Sequence, residues 1–80
     1  MTIQQLKLMK ILVECKSISK AAQRCFLSQS SLTRQIQAME KETGILLFER
    51  SHRGIKPTQA GRVFCEEIIP VLEQYEKALR

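Results

Sequence analysis

SISKAAQRCFLSQSSLTRQIQAMEKETG, residues 17–44, reads as two helices joined by a tight turn. Each half opens on a serine. Ser17 and Ser28 suit the N-cap position, where a short side-chain oxygen accepts from a backbone N–H that has no partner in the first helical turn. After Ser17, the small residues Ala21, Ala22 and Cys25 lie along one side and allow another helix to approach closely. Phe26 and Leu27 lead to the second cap. The second helix runs from about Gln29 to Thr43 and stops at Gly44, which can take the left-handed conformation that ends many helices. On a helical wheel Leu32, Ile36 and Met39 fall within about 60° of one another and define its buried face. The opposite face carries Ser30, Arg34, Gln37 and Lys41, with Thr33 on its flank and Gln29 at its N-terminal end. No acidic residue interrupts the first three turns of that face.

A further helix precedes this pair. Thr2 with Gln5 fits a capping box, so the helix starts at Thr2 and ends near Lys16-Ser17. Lys7, Lys10 and Glu14 cover about 60° of its wheel, and Leu6, Leu8, Met9, Ile11, Leu12, Val13 and Cys15 much of the rest. An apolar stripe wider than one core requires predicts a second contact surface, around Leu8, Ile11 and Cys15. Downstream, the short apolar stretch Ile45 to Phe48 and the extended Ile55-Lys56-Pro57 flank a basic turn, Arg50-Ser51-His52-Arg53-Gly54. This predicts two short strands with a basic tip. Thr58 caps a last helix, Gln59 to Arg80, along which Phe64, Ile68, Leu72, Tyr75 and Leu79 form a heptad-like seam. Pro70 lies inside it and is expected to kink the helix without breaking it. The fold class is therefore mostly α: a winged helix-turn-helix of three helices and a two-stranded wing at residues 1–58, then a linker and dimerisation helix at 59–80. The seam leaves too much apolar surface for a lone helix, so a symmetric dimer is expected.

Charge narrows the function. The net charge is +5, but residues 1–64 hold eleven Lys and Arg against four Glu, and residues 65–80 hold two against four. A basic body with a mildly acidic end suits a polyanionic partner. Cys15, Cys25 and Cys65 are odd in number and stand among apolar neighbours, the pattern of packed, reduced thiols. With His52 they make no pair at zinc-ligand spacing, so no metal and no cofactor is expected. An enzyme is not expected either. The chain has one His, no Asp and no Gly-rich phosphate loop. No apolar run approaches the roughly 18 residues of a membrane span. The first residues, Met1-Thr2-Ile3-Gln4-Gln5, lack the charged and apolar regions of a secretion signal, which places the chain in the cytoplasm.

These pieces give the second helix of the pair a role. A helix whose N-terminal end enters the major groove reads base edges. Gln29 and Arg34 have the paired donors and acceptors that match adenine and guanine, with Ser30, Thr33 and Gln37 beside them. The helix N-termini at Ser17 and Ser28, with Lys20 and Lys41, are placed to hold phosphates. Arg50, His52 and Arg53 on the wing suit a minor groove, although Arg50 could instead pair with Glu40 or Glu49. A protein-binding module using the same basic face is the main alternative, and salt dependence of duplex binding separates the two.

The sequence also resembles the N-terminal domain of LysR-type transcriptional regulators over essentially all of its length. The resemblance rests on Ser17-x-x-x-Ala21-Ala22, Ser28-Gln29, Arg34-Gln35-Ile36-x-x-x-Glu40, Gly44-x-x-Leu47-Phe48-x-Arg50 and Thr58-x-x-Gly61, with no insertion between them. It implies a homodimer formed through the last helix, or a tetramer in longer chains, bound to an interrupted palindrome in double-stranded promoter DNA. It also implies a small-molecule effector bound by a C-terminal domain absent from these residues, which are either an excised domain or a naturally short protein. Ser30 stands where the family usually has proline and Thr33 where it has serine; Cys25, Met39 and Thr43 replace typical leucines.

Overall fold

The computed structural model describes all 80 residues. The order is α1 (Ile3–Cys15), α2 (Ile18–Arg24), α3 (Gln29–Thr43), β1 (Phe48–Ser51), β2 (Gly54–Pro57) and α4 (Gln59–Ala78). Every helix begins as its sequence proposes. Thr2 and Gln5 complete a capping box, and the hydroxyls of Ser17, Ser28 and Thr58 accept from the amides of Lys20, Ser31 and Gly61. Gly44 closes α3 with φ 76°.

α1 is the central element. Its Leu6, Leu8, Met9 and Leu12 are buried, and α2, α4 and β2 all pack around it. Ala21 and Ala22 bring α2 close, Leu32, Ile36 and Met39 face inward from α3, and Leu47, Phe48, Ile55, Cys65 and Leu72 complete the core. No charged or polar side chain is buried with them. The width of the apolar stripe on α1 thus has an internal explanation: neighbours of the same chain cover it on several sides. Leu8 and Leu72, expected at a dimer surface, are 4% and 0% exposed and belong to this core. Ile11, Phe64 and Ile68 are half-buried, whereas Tyr75 and Leu79 lie open.

The wing differs from expectation in register. Ile45–Leu47 is not a strand; the first strand begins at Phe48 and includes Arg50. The physical reason is that this link spends its backbone groups elsewhere. The Leu47 and Phe48 amides donate to the Glu40 carboxylate at 2.8 and 3.3 Å, and the Leu47 carbonyl accepts from Thr58 N–H at 3.0 Å. β1 and β2 pair antiparallel, with Arg50 opposite Ile55 and Ser51 opposite Gly54, so only His52 and Arg53 form the tip. α4 runs unbroken through Pro70, whose exposed position lets the lost donor be tolerated.

Candidate nucleic-acid interface

The outer face of α3 is fully open. Gln29, Ser30, Arg34, Gln37 and Lys41 are exposed, and Thr33 on the flank is half-buried. At the helix start the Ser28 hydroxyl accepts from Ser31 N–H at 3.1 Å and lies within hydrogen-bond distance of the Ser30 and Ser31 hydroxyls. The N–H groups of Gln29 and Ser30 precede the first intrahelical bond, Leu32 N–H to the Ser28 carbonyl, and face outward without a partner. Together with the partial positive charge of the helix end they favour an anion there. Arg34 folds back to donate one N–H to the Ser31 hydroxyl at 3.3 Å. Its other donors remain free, enough for a two-pronged contact.

α2 stands before α3 as a short brace. Ser17 caps it, Lys20 is exposed in its first turn, and Arg24 ties its end back to α1. The Arg24 guanidinium donates to the Glu14 carboxylate at 3.0 Å and to Cys15 Sγ at 3.3 Å. The turn to α3 follows a Schellman pattern, with Phe26 N–H on the Gln23 carbonyl and Leu27 N–H on the Ala22 carbonyl. That motif needs a left-handed residue, and here it is Phe26, with φ 57° and 95% exposure. Neither Arg24 nor Phe26 stood out in the sequence. A Schellman turn usually announces itself with glycine, and here that mark is missing.

The wing is mounted at both ends. Gly54, at φ 122°, approaches the Lys16 carbonyl so closely that a Cβ would stand 2.3 Å from its oxygen. Ile55 N–H donates to that same carbonyl at 3.2 Å, fixing the hairpin to the end of α1. His52 and Arg53 project exposed at the tip. Arg50 does not join them, nor does it pair with Glu40 or Glu49. Glu40 is occupied by the Leu47 and Phe48 amides, and Glu49 pairs across the hairpin with Lys56 at 3.5 Å. Arg50 lies on the same strand face as buried Phe48 and donates to the Thr33 hydroxyl of α3. The thiols stand apart from this surface. Cys65 is buried in α4, and burial pushes the Cys65 and Cys25 thiols above their ordinary range.

Comparison with known proteins agrees with this geometry. The model for bacterial regulatory helix-turn-helix proteins of the lysR family matches residues 3–62. The chain belongs to the LysR family. Its helix-turn-helix is that family's DNA-binding domain. TfdT, an HTH-type transcriptional regulator of Cupriavidus pinatubonensis, is 42% identical over 80 residues, all of this chain and 35% of its own length. ClcR of Pseudomonas putida, named likewise, is 45% identical over 67 residues, 84% of this chain and 23% of its own length. The LysR-family chain described here therefore spans about a quarter to a third of these relatives. Among solved structures, the CbnR DNA-binding domain in complex with DNA superposes with a TM-score of 0.88 at 41% identity, covering 98% of this chain and 90% of that one. The BenM DNA-binding domain bound to catB site 1 DNA gives 0.90 at 35% identity, covering 99% and 85%. No helix of the LysR-family chain is long and apolar enough to cross a membrane.

Proposed function

We propose that this LysR-family domain binds double-stranded DNA sequence-specifically, as a homodimer on an interrupted palindrome in promoters, within the bacterial cytoplasm. The observation that carries the reading is the outer face of α3. It offers Gln29, Ser30, Arg34 and Gln37 without an acidic neighbour, beside a wing tipped by His52 and Arg53. Arg34 and Gln29 would read bases; the open amides at Ser28 and Ser17, with Lys20 and Lys41, would hold phosphates. We read the chain as a binder with no catalytic role: Cys15 Sγ is engaged by Arg24, and His52 stands on the wing tip in a different part of the fold.

Functionally, residues 1–58 form the reading unit and residues 59–80 the connecting helix. The second copy would meet the side of α4 that the core leaves uncovered. Val71, Tyr75 and Leu79 are 53%, 43% and 70% exposed there, next to half-buried Phe64 and Ile68. A small-molecule effector would act through a further domain of the kind that the longer relatives have room for.

The test is affinity for a duplex as salt is varied. A DNA binder loses affinity log-linearly with salt, with a slope that counts the phosphates it neutralises. A surface built for a protein partner gives no tight duplex binding at any salt.

A further inference from the structure

We infer that Arg50 is a positioning residue: through its bond to Thr33 it sets the tilt of the reading helix against the wing, and so helps determine which bases are preferred. The inference rests on the DNA-binding reading above.

Arg50 sits in β1 with its side chain on the face of Phe48, because side chains two apart on a strand point the same way. Phe48 is buried toward the core, so Arg50 is carried toward α3 and away from the wing tip. Its Nη2 donates to Thr33 Oγ1 at 2.5 Å. The other hydrogen-bonded tie between α3 and β1 is Glu40, which accepts from the Phe48 amide and from the Leu47 amide just before it. Thr33 and Glu40 are seven residues, about 10 Å, apart along the helix axis. Buried Leu32, Ile36 and Met39 seat α3 on the core, and the two ties, at different heights on one side, hold its direction against the wing. The nearer of them, at Thr33, lies beside Arg34, so its loss moves the reading end most.

The consequence is chemical. Paired hydrogen bonds to a base edge tolerate displacements of only about half an ångström. Releasing the Thr33 tie therefore changes discrimination while Gln29, Arg34 and Gln37 all remain in place. Arg50 acting only as a phosphate clamp would behave differently: its loss would weaken all duplexes alike and lower the salt slope by about one.

The experiment is site selection from random duplexes, followed by affinities for the selected and for a scrambled duplex at several salt concentrations. It compares the wild-type chain with Arg50→Met, Thr33→Val, Thr33→Ser and the Arg50→Met/Thr33→Val double variant. Thr33→Val keeps shape and removes the acceptor; Thr33→Ser keeps the acceptor. Expected is a roughly two- to tenfold loss on the selected duplex for Arg50→Met and for Thr33→Val, the range of one side-chain hydrogen bond. The double variant should be no worse than either single, Thr33→Ser should retain the wild-type preference, and the scrambled duplex should be little affected. Additive losses, equal on both duplexes and with a lower salt slope for Arg50→Met, would overturn the inference and leave DNA binding standing. A wild-type chain that selects no duplex would overturn both. Thermal melts of each variant guard against a folding defect, since Thr33 is half-buried and Arg50 exposed.

Discussion

Phe26 and Gly61 show what single residues must tolerate for this surface to exist. Phe26 takes a left-handed conformation that costs a side chain with a Cβ about 1 kcal/mol, and almost none of its ring is covered in return. Phe26→Asn keeps the turn with a residue suited to it, so the melting temperature is expected to rise by roughly 3–6 °C. A fall on calorimetry would mean that the ring makes a contact in solution. Gly61 has the opposite problem. A Cβ there would stand 1.9 Å from the Leu47 carbonyl oxygen, which already accepts from Thr58. Gly61→Ala should therefore force the start of α4 off the link and destabilise the fold by about 2 kcal/mol, read from denaturant midpoints. An unchanged midpoint would show that the helix start can shift freely.

At the scale of elements, the caps explain most of what the sequence disclosed. Ser17, Ser28, Thr58 and the Thr2–Gln5 pair mark helix starts by a local hydrogen bond, and Gly44 marks an end by a local conformation. Such signals need no knowledge of the rest of the chain. The wing register did need it. Ile45, Leu46 and Leu47 have the composition of a strand, yet Glu40, seven residues before Leu47, claims the amides that a strand would use. Arg50 is the same case: its choice between tip, ion pair and Thr33 follows from which strand face Phe48 occupies. The exposed face of α3, by contrast, was legible from periodicity, because its inward residues Leu32, Ile36 and Met39 are local in the wheel. For α2 we propose position rather than discrimination. Lys20→Ala is expected to weaken binding to all duplexes alike and to lower the salt slope by roughly one unit. A loss confined to one preferred sequence would instead place Lys20 among the base-reading residues.

At the scale of the whole molecule, the core leaves two surfaces open: the outer face of α3 with the wing, and the uncovered side of α4. The seam on α4 was visible as a period but not as an allocation. Leu72 went to the internal core, while Tyr75 and Leu79 stayed outside. Leu72→Ala is accordingly expected to cost about 2–5 kcal/mol of stability. Leu79→Asp should leave the melt of the separated chain nearly unchanged and remove the dimer in a sedimentation experiment; a dimer that survives it would place the subunit contact elsewhere. The reading surface has the more direct test. Sites are selected from random duplexes by the wild-type chain and by Arg34→Ala, and the two preferred sequences are compared. Arg34 points away from Leu32, Ile36 and Met39, and its fork matches guanine, a contact worth about 1–3 kcal/mol of discrimination. The expected result is a defined wild-type half-site in which Arg34→Ala loses preference at one position and keeps the others. An unchanged preferred sequence with uniformly lower affinity, or no preferred sequence for the wild-type chain, would contradict it.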